Sequence, residues 1–363
     1  MVESTVIKSG LDGVVVAETG ISEVEGQRGR LIIKGFDAED LGFSHTFEET
    51  CALLWSSKED GAELSKQFGL ARVEAYEMSK DILPSLLREH PMDSLLTATS
   101  LLTSGTQVDS KEYARITAAI GVFAANFSRM SRKLKPIAPD PKLSHAADYL
   151  RMITDETPSK AEIAGMDTYL TTVSDHGMNA STFTARVVAS TESDNVSCIV
   201  AAIGALKGPL HGGAPGPVLD MLNEIGSPEN AEKWITTQLD GRKRIMGMGH
   251  RIYTVRDPRA AIFEQAIRKL EDAGLKASRL TLARAVESTA ERLLAERHPE
   301  KPLKANVEFY TAVLLDSLKL PSNIFSSTFA VGRAAGWFAH IAEQRALGRL
   351  IRPASKYTGA YPR

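Results

Sequence analysis

Apolar residues recur along most of this chain at three- and four-residue intervals, the spacing that lines one face of a helix. Ile116, Ile120, Phe123, Phe127 and Met130 form one stripe, and Ile163, Met166, Leu170 and Val173 form a second. Each predicts a helix packed by one face. Between Val196 and Leu206 the apolar positions, with Ile199, Val200, Ile203 and Leu206 among them, point in nearly every direction. That pattern predicts a helix buried in a bundle or at a subunit contact, ending at Gly208-Pro209. Val218, Leu219, Leu222 and Ile225 repeat on one face until Gly226 and Pro228 interrupt them. Asp257-Pro258 offers an N-cap carboxylate and a first-turn proline; Ile262, Phe263, Ala266, Ile267 and Leu270 follow, and Gly274 closes the pattern. Two more helices are expected, from about Thr281 to Arg297, stopped by His298-Pro299, and from Thr328 to about Leu347. The last carries Gly332, Ala335, Gly336 and Ala339, small residues that let neighbours approach closely, so it should be a buried axial helix. Strand signals are confined to Gly13–Ala17 and Leu31–Lys34, which predict a small N-terminal β-hairpin. The expected fold class is mainly α.

Length and composition narrow the setting. Single cores stop growing efficiently near about 250 to 300 residues, so a chain of 363 residues is expected to form two domains. Glycines 204, 208, 212, 213 and 216 cluster as hinge positions, with Lys319–Ser322 as the return crossing, and Lys133–Lys142 reads as an exposed loop. The charges nearly balance, 43 basic against 45 acidic, so no overall field points to nucleic acid or a membrane surface. Cys51 and Cys198 lie in apolar helical contexts, which suits free thiols in a reducing cytoplasm. The N-terminal residues lack a signal pattern, and no apolar run reaches the roughly 18 residues of a membrane span. A cytoplasmic protein is expected.

Three of the eight histidines sit beside glycine: Asp175-His176-Gly177, Leu210-His211-Gly212-Gly213 and Gly249-His250-Arg251. Glycine lets the backbone turn tightly or approach a ligand, so each imidazole should be presented from a bend between helices. His45, His90, His145, His298 and His340 lack such a setting and read as structural. A zinc site completed by Glu308 would join the three histidines, but they are far apart in sequence, with no HExxH or Cys-x-x-Cys pattern. No G-x-S-x-G elbow supports a serine hydrolase, and Gly247-Met248-Gly249 lacks the third glycine of a nicotinamide-binding turn. Acid–base chemistry fits better. Arg259, Arg333 and Arg352 lie beside these motifs or on apolar helices, and a guanidinium there wants either an internal carboxylate or an anionic ligand. Several together suggest a di- or tricarboxylate. Histidines and one carboxylate then suit proton abstraction next to a carbonyl.

Five segments in order resemble the citrate synthase family, most closely its short bacterial and archaeal type. They are Ser174-Asp175-His176-Gly177-Met178-Asn179, Gly208-Pro209-Leu210-His211-Gly212-Gly213, Gly247-Met248-Gly249-His250-Arg251-Ile252-Tyr253, Asp257-Pro258-Arg259 and Asn306-Val307-Glu308-Phe309-Tyr310. The resemblance implies a multi-helical two-domain fold, with 1–212 and 320–363 as a large dimerising domain and 213–319 as a small domain that closes over the site. It implies condensation of acetyl-CoA with oxaloacetate, an acyl transfer of the tricarboxylic acid cycle. Propionyl-CoA (2-methylcitrate synthase) and a weakly active helical dimer are the alternatives. By this match Glu308 is the base, His211 holds the enolate oxygen, and His250 polarises and protonates the ketone of oxaloacetate. His176, Asn179, Arg259, Arg333 and Arg352 bind oxaloacetate, Arg352 from the other subunit of a homodimer. Ile245, Met246, Gly247, Met248, Gly249, Arg251 and Asn306 line the CoA arm. Neither a metal nor a cofactor is expected, and acetyl-CoA is a substrate. The sequence departs from the family pattern at Glu308, where most members carry aspartate, at Thr254 in place of a CoA-phosphate cation, and at Met248 and Phe36.

Overall fold

A computed structural model describes residues 9–11, 13–56, 61–211, 215–250, 252–275, 279–300 and 303–360. Near its start three short antiparallel strands pair in the order β1 (Ser22–Glu25), β2 (Arg30–Ile33) and β3 (Phe36–Asp37), with Val24 opposite Leu31 and Ile33 opposite Phe36. Helices follow: α1 (Ala38–Ser44), α2 (Phe47–Trp55), α3 (Gly61–Ser79), α4 (Leu83–Leu86), α5 (Pro91–Thr99), α6 (Ser110–Ser131), α7 (His145–Thr154) and α8 (Lys160–Thr172). After them come α9 (Ala180–Ala189), α10 (Asn195–Leu206), α11 (Pro215–Ile225), α12 (Ala231–Asp240), α13 (Pro258–Asp272), α14 (Leu280–Arg297), α15 (Val307–Ser317) and α16 (Phe325–Leu347). The fold is mainly α, as the periodicity predicts.

Local chemistry explains most boundaries. Thr46 with Glu49 and Ser159 with Glu162 form capping boxes at α2 and α8, and Asp257 accepts from Arg259 N with Pro258 in the first turn of α13. Val173 stands just past α8 as its C-cap, and α16 begins at Phe325, before the expected Thr328. The strand reading of Gly13–Ala17 is wrong. Those residues pair with no strand among the described residues, and Val15 is 86% exposed. The outer strand is instead Ser22–Glu25, whose polar side chains hid it, because only one face of this small sheet meets the core.

The long helix α16 is the axis of the core, packed by α2, α6, α8, α9 and α10. Its glycines make that possible: a Cβ on Gly332 would lie 2.9 Å from Leu170 O, and one on Gly336 would lie 2.2 Å from Ser174 O. Helices α11 to α15 pack largely on one another, and α13 also rests on α1 and α8. None of the described helices is long and apolar enough to cross a membrane.

Candidate active site

His176 sits in the turn between α8 and α9, where Gly177 takes φ +59°. It is 6% exposed, and its Nε2 lies 3.1 Å from the Tyr253 hydroxyl. His250 packs beside it with ring centroids 5.8 Å apart, and Tyr253 stacks obliquely on both rings. Nδ1 of His250 accepts backbone N–H groups from Ile252 (3.0 Å) and Tyr253 (3.1 Å). Its hydrogen therefore resides on Nε2, which lies 3.9 Å from Asp257 Oδ2, beyond hydrogen-bond distance.

His211 is fixed the other way round. The backbone N–H of Ser181, in the first turn of α9, points at its Nε2 (3.3 Å), and the Ser181 hydroxyl is 2.8 Å from the same atom. That hydroxyl also receives Trp337 Nε1 at 3.1 Å. With Nε2 an acceptor, the hydrogen of a neutral His211 lies on Nδ1. Burial first, then the charge of Arg333, lowers its pKa to about 4; burial and Arg259 do the same for His250, against the opposing pull of Asp257. Burial foremost, then Arg259 and Arg333, drives His176 well down. All three imidazoles are neutral at pH 7, two of them with a fixed N–H.

Glu308 stands in the first turn of α15, where the Asn306 side chain caps the helix by accepting Glu308 N at 3.0 Å. The other end of Asn306 donates to Gly249 O at 2.9 Å. The half-buried Glu308 carboxyl is raised to about 7, mainly by burial; Arg259 pulls it down and Asp257 pushes it up. A carboxyl poised near neutrality is matched to general-base work.

Two guanidiniums border these groups. Arg259 pairs through Nε and Nη2 with Asp257 at 3.0 and 2.8 Å. Arg333 donates Nε to Val173 O (2.6 Å) and lies over the Phe329 ring, while its buried Nη2 has no hydrogen-bond partner. An internal ion pair accounts for Arg259. For Arg333 the orphaned donor points to an anionic ligand. Arg352 lies exposed after α16 and makes none of the contacts that join the other residues.

The 245–249 segment is stapled to the start of α15: Met248 bridges Ala305, Gly249 N donates to Lys304 O (2.7 Å), and Asn306 N donates to Gly247 O (2.9 Å). Gly247 and Gly249 adopt φ +76° and +88°, and side chains there would strike Phe309 and Leu303. Ile245 is buried, with Met246 and Met248 partly so. Arg251 and the glycines after His211 lie outside the described residues. Asn179 caps α9, accepting Thr182 N at 3.1 Å and the Ser181 hydroxyl at 2.8 Å. Its carbonyl oxygen thus serves the turn that shapes the site.

Sequence reasoning missed four participants. Tyr253 was legible only as a neighbour of His250, Asp257 only as a helix cap, and Ser181 carried no signal of its own. His340, read as structural, is fully buried beside Asp175. The other histidines are structural: His90 caps α5, His298 ends α14, His45 meets Phe36 edge-on and His145 is buried against Phe47 and Phe68.

Neutral imidazoles with directed N–H groups, a carboxyl titrating near neutrality and an unpaired buried guanidinium form a site for enolate chemistry on an anionic substrate. The family model described as "Citrate synthase, C-terminal domain" matches residues 10–354. The chain belongs to the citrate synthase family. It is 37% identical to citrate synthase 2 of Bacillus subtilis, over 96% of this chain and 95% of that protein. It is 35% identical to the citrate synthase of Haloferax volcanii, over 97% and 96% of the two chains. Among solved structures it resembles the citrate synthase of Thermotoga maritima, with TM-score 0.84 and 34% identity over 98% and 97% of the two chains. It also resembles the Thermoplasma acidophilum enzyme in a ternary complex with carboxymethyl coenzyme A and oxaloacetate (TM-score 0.84, 26% identity, covering 97% of each chain). This family makes the chain an enzyme of the acyltransferase type, and the citrate synthases it matches do not favour the propionyl-CoA alternative.

Proposed function

We propose that this enzyme condenses acetyl-CoA with oxaloacetate and hydrolyses the resulting citryl-CoA to citrate and CoA through the residues just described. Glu308 takes a proton from the acetyl methyl group. Nδ1–H of His211 donates to the thioester oxygen as it becomes an enolate. The enolate carbon attacks the ketone of oxaloacetate, whose oxygen is polarised and then protonated by Nε2–H of His250. Water then cleaves the thioester and releases CoA. His176, Arg259 and Arg333 hold the oxaloacetate carboxylates, and the 245–249 segment, with Arg251 and Asn306, follows the CoA arm.

The observation that carries this reading is the state of Glu308: a carboxyl raised to about 7, bordered by the same Asp257–Arg259 pair that flanks His250. Its extra methylene relative to aspartate is accommodated in the first turn of α15, where Asn306 fixes the backbone. Closure of 213–319 over the remaining residues would bring the CoA segment onto the oxaloacetate site. A homodimer would supply Arg352 across the interface, consistent with its exposure here beside the exposed Leu350 and Tyr357. Two buried free thiols, Cys51 and Cys198, fit a cytoplasmic location, and the reaction fits the tricarboxylic acid cycle.

The test is release of free CoA, read with a thiol reagent, from purified protein given acetyl-CoA and oxaloacetate. Release should require both substrates, with kcat/KM higher for acetyl-CoA than for propionyl-CoA. Absence of release would overturn the reading, and a reversed ratio would make the protein a 2-methylcitrate synthase.

A further inference from the structure

Behind the turn that presents His176 runs a buried polar chain that has no place in the reaction above. One oxygen of the buried Asp175 accepts Gly177 N at 3.0 Å and the Ser22 hydroxyl of β1. Its other oxygen lies 3.2 Å from Nε2 of His340 on α16, within ion-pair range though outside hydrogen-bond alignment. On the far side of that ring, Nδ1 meets Nη1 of Arg186 at 3.1 Å. A guanidinium can only donate, so Nδ1 is the acceptor and Nε2 carries the hydrogen that faces Asp175. Arg186 is itself held by Glu343 at 2.5 Å and Gln344 at 3.1 Å, and Glu343 accepts Gly20 N at 2.9 Å. Gly336 leaves the space this needs, since a Cβ there would sit 2.5 Å from Asp175 Oδ1.

We propose that Asp175 and His340 are positioning residues for oxaloacetate binding, fixing the Gly177 turn and through it the His176 imidazole. The proposal rests on the reading of His176 as an oxaloacetate contact. Asp175 is the anchor because it is covalently next to His176 and satisfies the N–H of a residue in left-handed conformation. Against the opposing effect of burial, the His340 ring, the Arg333 guanidinium and the Ser22 hydroxyl hold its carboxyl below the usual carboxylate range. Arg186 sets the tautomer of His340, and α16 carries both His340 and Arg333, so one helix would align the imidazole and the guanidinium on the same ligand. A supporting shell that slackens by about half an ångström is enough to spoil such a site.

Steady-state kinetics of His340→Leu, His340→Gln and Asp175→Asn, with His176→Ala as reference, test this. His340→Leu should raise KM for oxaloacetate about tenfold or more, a scale within reach of small misplacements, while KM for acetyl-CoA stays within about twofold. His340→Gln, whose amide N–H reaches where Nε2 stood, should recover most of that loss. A merely structural role would move both KM values together, or neither, and would show no rescue; any of these outcomes overturns the proposal. Should His340→Leu fail to fold by circular dichroism, Asp175→Asn keeps the shape and removes the charge. It must show the same split, and an oxaloacetate KM like the wild type's overturns the proposal. An unchanged oxaloacetate KM in His176→Ala would overturn the reading of His176 itself, and the proposal with it. A changed one beside an inert His340→Leu overturns only the proposal.

Discussion

Replacing Glu308 by glutamine should make the protein more stable as it becomes inactive, and the two effects have different pH dependences. The ordinary carboxyl value is 4.5 and the folded protein raises it to about 7, chiefly by burial. Between those values the native state keeps a proton that the unfolded chain has released, so stability falls as pH rises through the window and is lowest above about pH 7. At about 1.4 kcal/mol per pKa unit, a carboxyl displaced from 4.5 to about 7 lowers stability by at most about 3.5 kcal/mol once ionised. Glutamine has nearly the same shape and no ionisable proton, so it removes that cost above pH 7 and changes little below pH 4.5. Turnover should fall by about 100-fold or more through loss of the general base. Urea unfolding of wild type and Glu308→Gln at fixed protein concentration, from about pH 4.5 to 8, measures the first effect, and CoA release measures the second. Parallel stability curves would refute the reasoning, because burial would then not be straining Glu308. A variant less stable at pH 8 than at pH 5, relative to wild type, would refute it more directly.

The remaining predictions concern rate, packing and assembly. Provided bound oxaloacetate leaves the charges of Arg259 and Asp257 around Glu308 unchanged, kcat/KM for acetyl-CoA should drop about tenfold per pH unit below pH 7 and level off above it, the base being active only when ionised; a flat profile between pH 5.5 and 8 would exclude Glu308 as that base. His211→Ala should lower kcat by about 100-fold by removing the enolate donor, and unchanged turnover would place that donor elsewhere. Gly26→Ala would set a Cβ 2.3 Å from Ile252 O, so it should cost about 1 to 3 kcal/mol, seen as a lower melting temperature, and raise the oxaloacetate KM by shifting the His250 loop. Arg352→Ala and His211→Ala, each inactive alone, should regain activity when refolded together, because a mixed dimer holds one intact site; a mixture as inactive as its parts would show that Arg352 acts within its own subunit.

Much of this was legible because burial leaves a periodic trace. The stripes through Ile116 to Met130 and Val218 to Ile225 are core-facing positions, and Asp257-Pro258 starts a helix through local chemistry alone. The hairpin was misplaced because β-branched residues signal strand only where a partner exists: Val14 to Val16 pair with no strand among the described residues, while Ser22–Glu25 pairs with β2 despite its polar side chains. Glycine flanks singled out His176, His211 and His250, and Gly177 and Gly249 do adopt positive φ, the tight bends such flanks suggest. His340 was illegible for the opposite reason. Its neighbours are helical and apolar, and its partner Asp175 is distant in sequence, joined to it only when α16 packs against the His176 turn.

The same packing explains why an imidazole site can work without a counterion for each ring. A histidine that stayed protonated would bind its own anion and donate poorly to a developing one. Here one nitrogen of each ring accepts from backbone donors, Ser181 N on His211 and Ile252 N and Tyr253 N on His250, and protonating that nitrogen would break those bonds. Burial and the nearby guanidiniums then lower both rings to about 4. The hairpin helps to hold this arrangement in place, with Ser22 bonded to Asp175 behind His176 and Gly26 O accepting Thr254 N beside the His250 loop. A three-stranded sheet too small to be a core of its own thus bridges two of the three imidazoles. Its contacts tie the turn that carries His176 to the loop that carries His250.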